Sequence, residues 1–413
     1  MTRENAGIPS STAMAARERE LQGYAREFLA AKTQIPTGFD LLNATGAARE
    51  RILSLLGAST ADWADWRWQL KNRITGVGRL SQVVPLAPGE VAAIRRVERE
   101  FRWGISPYYA SLLDPDHPAC PLRRQAIPSA LELAETGALD PVGEGTTTPA
   151  PGIVRRYPDR LIVYVTNQCA MFCRHCQRRR HAGRADRPTD QKTLQAALAY
   201  IRRNEEIRDV LVTGGDALLV SDARLDWLLT ELDRIPHVEI KRIGTRCPVT
   251  LPQRVTPRLA QVLRAHPPLY VMTQFNHPRE VTPEAAAACA RLVNAGAVLG
   301  NQSVLLRGVN DDADVIRALN HALLAIRVHP YYLFHALPVR GTLHFRTRIE
   351  EGMAIIEKLR GYTSGLAIPT YAVNAPGGAG KVPLMPQYVI QIGEGTATVR
   401  TWEGRVVEIP NEG

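Results

Sequence analysis

Between Arg160 and Val373, short apolar runs alternate with longer stretches in which apolar residues recur every three or four positions. The runs Leu161–Thr166, Val210–Thr213, Val238–Ile243, Leu269–Gln274, Val298–Leu305, Tyr331–Leu337 and Leu366–Val373 carry β-branched and aromatic residues and predict strands. The stretches Gln191–Arg203, Ala223–Arg234, Thr282–Asn294, Asp314–Ile326 and Ile349–Leu359 predict helices between most of them. This alternation predicts an α/β fold with a parallel sheet and crossover helices. About six units suit a partial (β/α)6-type barrel better than a closed eightfold one.

The flanks read differently. Met14–Lys32, Asp62–Ile74 with its three tryptophans, and Ala87–Phe101, opened by Pro88, predict an N-terminal helical region over residues 1–110. A Pro- and Gly-rich stretch, Pro115–Gly152, dominates a connecting segment over 111–160. The barrel occupies 161–375. Residues 376–413 hold a glycine-rich loop, PGGAGK, and a short C-terminal β extension at Tyr388–Ile392 and Ala397–Trp402.

Composition narrows the class. The chain has 413 residues, 45% hydrophobic and 22% charged, as a globular protein should. No apolar run reaches the roughly 18 residues of a membrane span. The opening MTRENAGIPSSTAMAARERE has no segment suited to secretion, so a cytoplasmic protein without a membrane partner is expected. The net charge of +10 raises the alternative of a basic nucleic-acid module built on zinc or an iron–sulfur cluster. Its arginines are spread along the chain, and several fall where a phosphate or carboxylate ligand would explain them, so no nucleic acid is expected.

Three of the six cysteines, Cys169, Cys173 and Cys176, form C-x3-C-x2-C directly after the first barrel strand. A disulfide framework would spread them more evenly, so metal or redox chemistry is indicated. A structural zinc would need a fourth ligand, such as His175 or Cys247. A [4Fe–4S] cluster on three cysteines would instead leave one iron open to a substrate. The end of a barrel strand is also where active sites form.

The stretch RRYPDRLIVYVTNQCAMFCRHCQRRRHAG resembles the radical S-adenosylmethionine (SAM) enzymes, and the lysine 2,3-aminomutase family in particular. So do IRDVLVTGGDALLVSD, IPHVEIKRIGTR, FNHP, LGNQSVLLRGVND, HFRT, LRGYTSG and APGGAGKVPLMP, which extend the resemblance from about Trp63 to Tyr388. The resemblance implies an isomerase that moves an amino group between adjacent carbons of a free amino acid. It implies that Cys169, Cys173 and Cys176 hold a [4Fe–4S] cluster, with SAM chelating the open iron and contacted by Gly214, Gly215, Asp216 and Gln302. It further implies pyridoxal 5′-phosphate (PLP) bound covalently to Lys381, with its phosphate on Arg156, Tyr157 and Arg160. Arg178 would pair with the substrate carboxylate. A flavodoxin- or ferredoxin-like electron donor is the expected partner, and a homo-oligomer the expected assembly.

Taken singly, these motifs have plainer readings. The GGD sequence could be a turn, Gln302 a buried amide, Lys381 a solvated lysine, and Arg156 and Arg160 part of a salt-bridge run. Glycines also let backbone approach a ligand, a lysine in a flexible loop suits exchange on a cofactor, and arginine forks suit phosphate. His175, Arg179 and Arg180 read as packing or structural groups.

Two departures from the family bear on substrate and on metal. Lysine-specific members resemble this chain but have aspartates where Leu337 and Asn374 stand. An ammonium buried without a carboxylate costs several kcal/mol, so lysine is disfavoured. Arginine is the first expectation, because its planar, weakly hydrated guanidinium could lie over Leu337 and donate to Asn374. Neutral amino acids come second. Glutamate is third, because its specific relatives carry a lysine at Leu337, which only Arg340 could replace. The second departure is the absence of a tail cysteine and of a cysteine after Gly308–Asp311, where Asp312 stands. No intersubunit zinc is therefore expected.

Overall fold

The computed structural model describes residues 11–412. Residues 1–10, the first half of the stretch expected to lack a secretory segment, and Gly413 lie outside the described residues. Nine strands follow one another across a single sheet: β1 Ile153–Val154, β2 Arg160–Tyr164, β3 Asp209–Thr213, β4 Ile240–Gly244, β5 Leu269–Thr273, β6 Val298–Leu305, β7 His329–His335, β8 Thr370–Ala375 and β9 Gly380–Pro383. β2 to β8 run parallel, and the antiparallel β1 and β9 flank them. Six crossover helices join the parallel strands: Gln191–Arg203, Asp222–Asp233, Pro257–Arg264, Pro283–Asn294, Ala313–Ala325 and Ile349–Leu359. This is the expected partial barrel.

Register gives the sheet two distinct faces. Val163, Val212, Ile243 and Val271 lie side by side and are fully buried. The neighbouring row, Ile162, Leu211 and Arg242, lines the cavity instead. Side chains one residue apart on a strand point to opposite faces, which is why apolar runs here still deliver an arginine inward. The crossover helices present one apolar stripe each. Gln191–Arg203 is capped by Asp190, whose carboxylate accepts from the Thr193 N–H at 2.7 Å, and it buries Leu194, Ala197, Leu198 and Ile201.

Several elements differ from expectation. Asp62–Ile74 is two short helices, Thr60–Ala64 and Trp66–Lys71, because the Asp65 side chain caps the second one on the Arg67 N–H at 3.0 Å. Leu42–Leu56 and Pro257–Arg264 are additional helices; the latter is eight residues long and buries only Leu259 and Leu263, too few to set a period. β8 starts at Thr370 because Gly365–Ala367 forms a 3-10 turn capped by Ser364. The C-terminal extension has a third strand, giving the antiparallel sheet β10 Val389–Ile392, β11 Gly395–Arg400 and β12 Val406–Asn411. One hydrophobic core runs from Ile52, Trp63, Leu80 and Ile94 in the N-terminal helices into the barrel strands. Among the described residues no helix is long and apolar enough to cross a membrane.

Candidate active site

A cavity of about 1080 Å³ opens beside the ends of the parallel strands. It is lined by Cys169, Cys173 and Cys176; Gly214, Gly215, Asp216 and Gln302; Arg156, Tyr157, Arg160 and Lys381; and Arg178, Leu337 and Asn374. The structure thus brings every expected site residue to one space.

The cysteine loop leaves β2 and is fixed from behind. The Phe172 N–H donates to the Gly104 carbonyl at 3.0 Å, and the Arg174 N–H to that of Gln125 at 2.9 Å. The buried Arg174 guanidinium clamps Glu132, which also accepts from Arg179 at 2.6 Å. Arg179 is therefore structural, as expected. The three thiols are free, and burial pushes Cys169 and Cys176 above their ordinary range, so thiolates there call for an adjacent cation. Among the described residues no three His, Cys, Asp or Glu side chains converge on a single metal-ion position. A four-iron cube, which takes one thiolate per corner iron, does not require that they do. Cys247 is buried outside the cavity lining. His175 accepts at Nε2 from the amides of Gln274 (3.1 Å) and Asn276 (3.3 Å), and burial keeps its ring neutral.

The glycines after β3 serve the protein itself. A Cβ on Gly214 would lie 2.2 Å from the Thr166 carbonyl oxygen, and one on Gly215 would lie 2.3 Å from that of Gln168. The strand end is pressed against the cysteine loop, with the Gly215 N–H donating to Thr166 at 2.6 Å. Asp216 is likewise engaged: it accepts from the Thr245 hydroxyl (2.5 Å), the Arg246 N–H (2.7 Å) and the Leu218 N–H (3.1 Å). Arg246, which the sequence reading passed over, places Nη1 2.7 Å from Cys173 Sγ and pairs with the fully buried Glu280.

Lys381 stands on β9 directly opposite Asn374 on β8, so the two share a face. The lysine was expected on a flexible loop; the glycines instead make a tight turn at Pro376–Gly378, and Lys381 belongs to the returning strand. Its N–H donates to the Tyr157 hydroxyl at 2.9 Å, and its Nζ lies 5.2 Å from the Tyr332 ring and 5.4 Å from that of Phe334. Gly380 has φ +93°, and a Cβ there would meet the Tyr157 ring at 3.1 Å. Burial, then the charges of Arg242, Arg160, Arg156 and Arg178, push the Lys381 ammonium down to about 8. Arg242 was missed, although strand alternation on β4 places it on the cavity face beside Leu211.

Glu144 was also missed. Its side chain, 3% exposed, accepts from Arg156 at 3.0 Å, Arg178 at 2.9 Å, Arg180 at 3.2 Å and the Tyr164 hydroxyl at 3.1 Å. Burial alone would raise its pKa, but His181, Arg178 and Arg156 hold the carboxyl well below the usual range. Arg180 also meets Asp140 at 2.6 Å. Leu337 packs with Val142 and Val339, and Arg340 at the rim pairs with Glu100 at 3.1 Å, both lining the cavity.

Residues 163–319 match the Radical SAM superfamily, and residues 356–412 match Lysine-2,3-aminomutase. The chain is 49% identical to a glutamate 2,3-aminomutase of Clostridioides difficile (strain 630), over 96% of this chain and 94% of that one. It is also 49% identical to an L-lysine 2,3-aminomutase of Clostridium subterminale, over 84% of each chain. An L-lysine 2,3-aminomutase of Bacillus subtilis (strain 168) is 45% identical over 84% of this chain and 74% of that one. With a three-cysteine loop on a partial α/β barrel and similarity running through nearly the whole sequence, the chain belongs to the lysine 2,3-aminomutase family of radical SAM isomerases.

Proposed function

We propose that this amino acid 2,3-aminomutase depends on PLP held at Lys381, and that its substrate is L-arginine. The observation that carries the PLP reading is Lys381 itself: a half-buried amine, lowered to about 8, on a strand that faces two arginines and a tyrosine suited to a phosphate. Cys169, Cys173 and Cys176 would hold the cluster, and Arg156, Tyr157 and Arg160 the phosphate. Arg178 would present its guanidinium to the α-carboxylate, at the foot of the cysteine loop. When bound, the cluster and SAM would supply the carbon radical needed for hydrogen abstraction, and PLP would supply a carbonyl to carry the migrating nitrogen. The apolar side chains of Leu337, Val339 and Phe334 line the same cavity and would limit the access of water to that radical. The cluster must be reduced by an external one-electron donor of the flavodoxin or ferredoxin kind.

Arginine fits a distal end with no carboxylate at Leu337 or Asn374. Its guanidinium can lie over Leu337 and donate to the Asn374 carbonyl. Glutamate is a second reading, favoured by Arg340 on the cavity wall and by the relative similar over 96% of this chain. An anaerobic assay of lysine, arginine, glutamate and neutral amino acids with SAM, PLP and reductant decides. Arginine is expected to react fastest. Preference for glutamate would transfer the distal contact to Arg340, and preference for lysine would overturn the reading of the distal end.

A further inference from the structure

Glu144 lies in the Pro- and Gly-rich connecting stretch, in a loop that braces itself. The Asp140 carboxylate accepts from the Gly145 N–H at 2.9 Å, and the Thr148 hydroxyl returns to the Glu144 carbonyl at 2.6 Å. The loop therefore holds its acid in one place, beneath the arginines. Oε1 accepts from Nε of Arg178 at 2.9 Å, with Nη2 of the same guanidinium in ion-pair contact at 2.9 Å, and from Nη2 of Arg156 at 3.0 Å. Oε2 is occupied by the Tyr164 hydroxyl and Arg180. A guanidinium held along its Nε–Nη2 edge has its plane fixed and keeps its Nη1–Nη2 end for a second, bidentate carboxylate.

By charge alone this acid is misplaced. A carboxylate beside two groups meant for anions opposes those anions. Its use must therefore be geometric. We propose that Glu144 is a positioning residue: from one shared oxygen it seats Arg178 for the α-carboxylate of the amino acid and Arg156 for the phosphate of PLP. This rests on the roles given to those two arginines above.

The test is Glu144→Gln in the full-length, anaerobically reconstituted protein. PLP affinity is read from an absorbance titration, and KM and kcat are read separately with the fastest amino acid. Positioning predicts that PLP Kd and amino acid KM each rise roughly tenfold, with kcat changed less, because charge-assisted contacts lose their alignment. Iron content and the SAM-perturbed cluster spectrum should stay native. A role through charge predicts the opposite sign, since a neutral amide would tighten both; tighter or unchanged binding overturns the proposal. Glu144→Asp keeps the charge but is one methylene short of spanning both arginines, so it should weaken binding as the glutamine does, and native behaviour would also overturn it. Should these variants not fold, Tyr164→Phe decides: releasing Oε2 should weaken both affinities by a few-fold, and native affinities would overturn the proposal. Native protein that takes up no PLP, or Lys381→Ala that still does, would defeat the functional reading instead.

Discussion

Lys381 is a cation whose surroundings favour its neutral form. Burial and the arginines on β2, on β4 and before β2 bring it to about 8, against roughly 10.4 for a lysine in water. Raising the pH through about 8 therefore frees the amine, some two units earlier than usual. PLP-free protein should take up PLP, trapped by borohydride, with a rate that climbs around pH 8. Arg242→Gln, which removes the largest of the opposing charges, should move that rise to higher pH; a native midpoint near 10 would mean that the lysine is solvated in the working protein. Leu337 and Asn374 give a second residue-scale prediction. If they exclude lysine by leaving its ammonium unpaired, Leu337→Asp/Asn374→Asp should raise lysine kcat/KM roughly tenfold or more, the worth of a charge-assisted hydrogen bond of about 1.5–3 kcal/mol. Unchanged lysine turnover would mean that some other wall rejects it. The cysteines and Lys381 were legible because their spacing and setting resemble a family. Glu144 was not, because an acid in a glycine-rich loop carries no local pattern; its partners lie 12 to 36 residues away.

Elements have their own dependencies, and the cysteine loop depends on a buried triad. Glu132, fully buried in the 3-10 turn Ala130–Leu133, holds Arg174 from within the loop and Arg179 just after it. Their two charges keep the Glu132 carboxyl ionised despite its burial. Removing that charge leaves two guanidinium groups short of a counter-ion, which costs on the order of 3–5 kcal/mol in a buried setting. Glu132→Gln should lower the thermal midpoint of the iron-free protein and reduce the iron retained after reconstitution. Native values for both would show that Arg174 and Arg179 find other acceptors. The strands and helices of the barrel were readable from period because each buries a full stripe. The break at Asp65 and the hairpin at Pro376–Gly378 were not, since one side-chain cap and one tight turn outweigh the pattern around them.

At the scale of the whole molecule, a partial barrel leaves two sheet ends that do not pair with each other, and here the connecting segment spans them. Tyr157, just before β2, accepts from the Lys381 N–H on β9, so one hydrogen bond ties the first parallel strand to the last strand of the sheet. The Tyr157 ring also carries the Arg160 guanidinium 3.9 Å above its face, and Ala138 bridges to Val339 beyond β7. Contacts between positions more than two hundred residues apart leave no trace in a periodic pattern, which is why the strands were foreseen and the closure was not. Tyr157→Phe keeps the ring and the cation above it but removes the tie. A typical hydrogen bond contributes about 1 kcal/mol, so PLP affinity should fall roughly fivefold. Amide exchange at Lys381 should accelerate in the PLP-free protein, because local opening then has one fewer bond to break. Iron content should not change, since the cysteine loop is anchored through Glu132 and not through Tyr157. If exchange at Lys381 stays native while PLP affinity falls, the hydroxyl serves the cofactor alone, and packing of the ring against Gly380 is what closes the barrel.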